Sequence, residues 1–220
     1  MRWHKEKLGT ELPYRGVLHN VLDVLLNVVI IVAVVAIIRT FIVSPFEVEG
    51  NSMVPTLEDK QYIIINKIGY IVGEPQRGDV VVFHPPSDTG KYYVKRIIGT
   101  PGDNVVLRDG RVFVTAAEGE QELQEVYLDE RNRNRTFRFP VGMGDRTEER
   151  YTVPEGEYFL LGDNRQGSLD SRSFRSETNE PIPYVPRKSI AGRVWFIVLP
   201  ITKSHALEVP DYGLVENESL

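Results

Sequence analysis

The sequence predicts a mainly β protein in which one N-terminal transmembrane helix is followed by an antiparallel β domain carrying a smaller β excursion. Three observations point to it. The run VLLNVVIIVAVVAIIRTFIV within residues 17–43 supplies the roughly 20 mainly apolar residues that cross a ~30 Å hydrocarbon core as a helix. Beyond Ser44, short runs rich in Val, Ile, Tyr and Phe (FEVEG, YIIIN, DVVVF, YYVKRII, NVVLR, RVFV, EYFLLG and IAGRVWFIVL) alternate with turn residues. Between VVLR and RVFV stands Asp109-Gly110, a pair suited to the two positive φ angles of a type I′ hairpin turn.

Taken in order, residues 1–16 form a cytoplasmic segment. Arg2, Lys5, Lys7 and Arg15 precede the span, Glu47, Glu49, Glu58 and Asp59 follow it, and cationic flanks resist translocation. The anchor, 17–43, holds Asp23 and Asn27 near its N-terminal end, where polar side chains reach headgroups at lower cost than at the bilayer centre. It runs into Arg39, Phe41 and Pro45 rather than a small-residue cleavage site, so it reads as uncleaved. Residues 44–220 then form the domain beyond the membrane. Within it, 115–152 is charged and irregular and reads as an inserted β-excursion or loop. Its cations Arg131, Arg133, Arg135 and Arg138 are nearly cancelled by Asp129, Glu130, Asp145, Glu148 and Glu149, which favours a solvated hairpin over a headgroup-binding patch. The polar stretch 203–220 reads as a poorly ordered tail.

Composition narrows the chemistry. A net charge of -5 provides no basic face for releasing counterions from phosphates, so no nucleic acid partner is expected. Without cysteine there is no thiol nucleophile, disulfide or thiolate metal site. Only His84 and His205 lie beyond the span, with no H-E-x-x-H or G-x-S-x-G pattern around them, so neither a metal nor a Ser-His-Asp triad is expected, and no cofactor. His84, before Pro85-Pro86, suits an exposed turn.

What remains is NSMVPTL around Ser52 and YYVKRIIGTPGD around Lys95. A lysine in an apolar strand is unusual. In water its pKa of about 10.4 keeps it charged, but desolvation lowers that value by up to several units and turns the amine into a base. Strand alternation puts Tyr93, Lys95 and Ile97 on one face and Val94, Arg96 and Ile98 on the other, so Lys95 and Arg96 point opposite ways. Taken alone, Lys95 reads as a stem on the sheet with its head snorkelling to water.

Four segments in this order, SMVPTL, RGDVVVF, YVKRIIGTPGD and GDNRQGSLDSR, closely resemble bacterial type I signal peptidases, membrane-anchored Ser-Lys enzymes that remove signal peptides from exported proteins. The resemblance implies a signal peptidase/LexA-like fold, an outer-facing domain on the bacterial plasma membrane, and signal peptides of preproteins and the lipid bilayer as partners. It implies that Ser52 is the nucleophile and Lys95 its base, that Ser168 hydrogen-bonds the lysine amine, and that Asp170 and Arg172 form an ion pair bracing that wall. It also implies shallow apolar pockets lined by Phe46, Val48, Met53, Leu57, Tyr93 and Val94. The chain departs from some relatives at Gly50, where they carry a serine that donates to the oxyanion; the Ser52 backbone N–H remains as a donor.

Two rival readings differ in class. A self-cleaving, DNA-binding regulator of the LexA type is opposed by the span and by the missing basic face. A membrane-tethered β module that holds extended peptides without cutting them is opposed by the complete set Ser52, Lys95 and Ser168.

Overall fold

The computed structural model describes residues 13–39, 43–116, 119–137 and 148–212. The chain divides into two units, Met1–Ile42 and Val43–Leu220. In the first, helix α1 (Pro13–Ile37) opens on a proline, whose missing N–H costs nothing at that position. Its His19–Ile37 portion is the one stretch among the described residues long and apolar enough to cross a membrane. Side chains 19–39 are all exposed, and a helix apolar all round is satisfied by hydrocarbon rather than by water. Of the cationic residues expected to flank the span on the cytoplasmic side, Arg2, Lys5 and Lys7 lie outside the described residues. So do residues 40–42 of the expected span, whereas Val43 belongs to the first strand and pairs with Asn66.

The second unit holds the strands β1 (Val43–Glu47), β2 (Tyr62–Asn66), β3 (Val80–Phe83), β4 (Tyr93–Gly99), β5 (Asn104–Arg108) and β6 (Arg111–Ala116). They continue with β7 (Gly119–Glu122), β8 (Glu149–Thr152), β9 (Glu157–Leu161), β10 (Tyr184–Pro186), β11 (Ile190–Leu199) and β12 (His205–Ala206). An eight-stranded sheet runs β1-β2-β11-β3-β4-β9-β10 with β12 on β11, and a four-stranded sheet runs β7-β6-β5-β8. Every pairing is antiparallel, as the strand pattern predicts.

The larger sheet is covered on both faces, which explains why β3 reads VVVF without alternation. Val80 and Val82 enter a cluster with Ile63, Ile65 and Val194, while Val81 and Phe83 enter another with Ile97, Leu160 and Val185. A third cluster joins the two sheets, with Ile98, Phe159 and Leu161 against Val105, Val112 and Val114.

The smaller sheet begins at Asn104, earlier than the excursion expected at 115–152. The Asp109-Gly110 hairpin belongs to it, with φ of 52° and 76° and Arg108 opposite Arg111. The boundary lies at Gly99, where a Cβ would collide with Val105 and Val153: only a bare Cα lets the chain leave one sheet that close to the other. Arg131, Arg133 and Arg135 are exposed on the following loop, while Arg138 and Asp145 lie outside the described residues.

The tail expectation is corrected over 204–212. β12 pairs with Phe196 and Ile197, Leu207 packs on the cluster of β2 and β3, and Tyr212 is buried against the inter-sheet cluster. Scattered apolar residues in a polar stretch are enough to seat it, since each buried side chain of this size contributes about 1.5–3 kcal/mol. Residues 213–220 lie outside the described residues.

Candidate active site

Ser52 sits in the turn between β1 and β2. Val48 N–H donates to Gln61 O and Lys60 N–H to Val48 O, both at 2.8 Å, closing the base of the turn. Met53 and Leu57, 1% and 0% exposed, anchor its underside in the core. Neither is among the residues that line the cleft beside Ser52, where the sequence expectation put them: at i and i+4 of a tight turn they face inward together, and the Ser52 hydroxyl is left part-buried against Lys95.

Lys95 lies mid-sheet in β4, between β3 and β9, and is 3% exposed. Its Nζ donates to Ser52 Oγ at 2.6 Å and to Val94 O at 2.7 Å, and lies 5.4 Å from the Tyr93 ring centroid. Burial brings its pKa down to about 8; Asp170 and Asp163 push the other way, and Arg172 adds to the lowering. Arg96 points to the opposite face, as alternation requires, and forks onto Asp163 with contacts of 3.0 and 2.7 Å.

The loop after β9 meets the Ser52 turn directly. Asn164 N–H donates to Ser52 O at 3.1 Å and its Nδ2 to Asn51 O at 3.0 Å, while Thr56 Oγ1 donates to Asp163 Oδ2 at 2.5 Å. A Cβ on Gly162 would strike both Ser168 Oγ and Ser52 O, so these groups converge on one bare Cα. Asp170 and Arg172 form a fully buried ion pair at 2.7 Å, and Asp170 also accepts from Gly162 N–H at 3.0 Å. Burial works to raise the Asp170 carboxyl, but Arg172 and the Gly162 N–H outweigh it and hold it below the ordinary carboxylate range.

One expected contact differs. Ser168 Oγ is buried and makes no hydrogen bond to the Lys95 amine, whose bonds go to Ser52 and Val94; the Ser168 hydroxyl instead helps hold the Asp170 carboxyl low. The Gly50 N–H, at φ of 86°, donates to Asp59 Oδ1 at 2.7 Å and so is turned away from any oxyanion. The sequence reading also missed Asp163 and Arg165. Arg165 is wholly buried and bonds Glu125 and Thr136, fastening the 123–137 loop to the GDNR segment. The signal was present in the adjacent cations Lys95-Arg96 inside one apolar strand, which demand a buried acid for Arg96.

Beside Ser52 and Lys95 opens a cleft of about 580 Å³, lined among others by Phe46, Val48, Ile63, Val82, Tyr93 and Val94. No group of three or more His, Asp or Glu able to hold a metal occurs among the described residues.

An antiparallel β domain whose open cleft runs past a serine hydroxyl facing a buried amine is an arrangement that suits nucleophilic peptide cleavage. The chain belongs to the signal peptidase, peptidase S26, family, which it matches over residues 21–199. A signal peptidase I of Bacillus licheniformis is 36% identical over 179 residues, 80% of this chain and 87% of that protein. Signal peptidase IB of Staphylococcus aureus is 30% identical over 190 residues, 84% of this chain and 92% of its own. A solved signal peptidase I structure from Enterococcus faecalis is 32% identical with a TM-score of 0.41, covering 56% of this chain and 98% of that one.

Proposed function

We propose that this chain removes signal peptides from exported preproteins by a Ser52–Lys95 mechanism, at the outer surface of the bacterial plasma membrane in which α1 anchors it. The reading rests on one observation above the others: an amine with pKa near 8 donates to Ser52 Oγ over 2.6 Å at the edge of an open cleft. At pH 7 roughly a tenth of Lys95 is neutral, against about one in 3,000 for an unperturbed amine. The neutral amine takes the Ser52 proton as Oγ attacks the scissile carbonyl, then gives it to the leaving amine, and an acyl-enzyme remains for water to open. The Ser52 N–H stabilises the oxyanion. Once Oγ is bonded to substrate, the amine needs a new partner, and the buried Ser168 hydroxyl beside Gly162 supplies it. Asp170 and Arg172 hold that wall. Cations at the N-terminus orient the anchor with that end in the cytoplasm.

The test is cleavage of a preprotein carrying an Ala-x-Ala site by the detergent-solubilised chain, as wild type, Ser52→Ala and Lys95→Ala, across pH. Wild type alone should cut, with a rate that rises and levels off above about pH 8. Full activity in Lys95→Ala would refute the mechanism.

A further inference from the structure

The polar residues of α1 share one side of the helix. From Asn20 to Ile37 it carries the polar side chains Asn20, Asp23 and Asn27, and every other residue is Val, Leu, Ile or Ala. At about 100° per residue the three fall within an arc of roughly 60°. Their spacing of four and three continues through Ile30, Val34 and Ile37. That is the seam of a heptad repeat, with Asn20, Asn27 and Val34 at a and Asp23, Ile30 and Ile37 at d.

Asn27 also lies deeper than a place near the end of the span would put it. Arg15, in the first turn of α1, and Arg39, just past its end, are the cations that bound the apolar stretch, and Asn27 stands 12 residues from each. At 1.5 Å per residue that is about 18 Å either way. In a hydrocarbon core of ~30 Å this is the midplane, where so short a side chain does not reach a headgroup. Asn20, Asp23 and Asn27 are all exposed on the helix, so in a bilayer the Asn27 amide, with two donors and an acceptor, faces hydrocarbon unless another helix covers it.

We infer that this seam is an interface at which α1 packs in parallel against α1 of a second copy of this chain. The occupant follows from the chemistry of the stripe. Two copies inserted the same way round bring Asn27 to the two-fold axis at one depth, where each amide donates to the other's carbonyl and no third group is needed. An Asn at a single a position is also what fixes register and oligomer state in parallel coiled coils. The Asp23 carboxylate, an acceptor only, lies a turn nearer the membrane surface, and the amides of Asn20 and Asn27 flank its level on the second copy with donors. Ile30, Val34 and Ile37 complete the seam by close packing, which joins helices where the lipid is as apolar as they are. The inference depends on α1 spanning the bilayer and is independent of the cleavage chemistry.

The chain has no cysteine, so single introduced cysteines report contacts between copies alone. Full-length Ile30→Cys and Val34→Cys, reconstituted into phosphatidylcholine vesicles and oxidised, should each form a disulfide-linked dimer. Val29→Cys and Ala36→Cys, on the opposite side of the helix, should not. Energy transfer between copies labelled at Arg131→Cys in the same vesicles measures the association itself. Asn27→Leu, which favours insertion, should raise the dissociation constant about five- to thirtyfold, whereas Asn27→Gln, which keeps the amide, should stay within about twofold of wild type. Crosslinking that ignores the side of the helix, or association that survives Asn27→Leu unchanged, overturns the interface. So does a result in which purified copies stay apart while the seam cysteines in cell membranes link to a different protein, since the seam would then have another occupant.

Discussion

Replacing Lys95 by methionine should change the stability of this chain in opposite directions at neutral and alkaline pH. The folded amine has a pKa of about 8 against 10.5 for an ordinary lysine, so the unfolded chain binds that proton more tightly. The resulting penalty on the fold is complete below about pH 8, shrinks between 8 and 10.5, and is absent above. At 1.36 kcal/mol per unit it amounts to roughly 3 kcal/mol. Methionine keeps an unbranched chain of similar length and removes the charge, but forfeits the bonds to Ser52 and Val94, worth about 1 kcal/mol each. The balance is a gain of about 1 kcal/mol at pH 7, or some 2–4 °C in melting temperature, and a loss of about 2 kcal/mol above pH 10.5. Thermal unfolding of both proteins in the same detergent, followed by tryptophan fluorescence from pH 6.5 to 10.5, measures the difference directly. A gap between the two melting temperatures that ignores pH would mean that Lys95 carries no depressed pKa, and the proposed base would be lost.

Two further substitutions separate positioning from stability. Asp163→Asn leaves the Arg96 guanidinium buried without its acid and should cost about 3–5 kcal/mol, lowering the melting temperature by roughly 6–20 °C; a shift under 2 °C would mean the pair is dispensable. Ser168→Ala removes a hydroxyl that makes no bond to Lys95 in the resting state and only helps hold the Asp170 carboxyl low, so the melting temperature should fall by no more than about 2–4 °C while kcat falls up to about a hundredfold; a larger loss of stability in step with the rate would assign Ser168 to the fold.

The strands and their antiparallel pairing were legible because β-branched runs and turn residues are local signals, and Asp109-Gly110 specified its hairpin outright. The limits of the smaller sheet were not. NVVLR and RVFV look alike whichever sheet they join, and only the steric role of Gly99 assigns them to the second. For the site, Ser52 and Lys95 lie within hydrogen-bond distance and Asp170 pairs with Arg172, whereas Met53 and Leu57 are buried in the core. A motif marks positions but not the direction a side chain takes in a tight turn. Asp163 was overlooked because Arg96, 67 residues away in sequence, signals that a buried acid is needed but not where along the chain it lies.

The Asp170–Arg172 pair does more than brace the loop, because both members act on Lys95. Asp170 favours the charged amine and Arg172 the neutral one, and while the two are bonded to each other their influences oppose, leaving burial in control of the base. Breaking the pair from either side should therefore move the pH midpoint of cleavage in opposite senses. Arg172→Met leaves the Asp170 carboxylate unopposed, stabilises the ammonium and carries the midpoint above pH 8; Asp170→Asn leaves the guanidinium unopposed and carries it below. Both charges act on the buried amine, and an unopposed charge near a buried group shifts its pKa by about one unit or more. Each variant also loses several kcal/mol of stability, roughly 3–5, so the profiles are best recorded well below the wild-type melting temperature. A merely structural brace would lower the rate in both variants and leave the midpoint where it was. Displacement of the two midpoints to opposite sides of wild type is an outcome that only an electrostatic role in tuning Lys95 produces, and displacement to the same side would refute it.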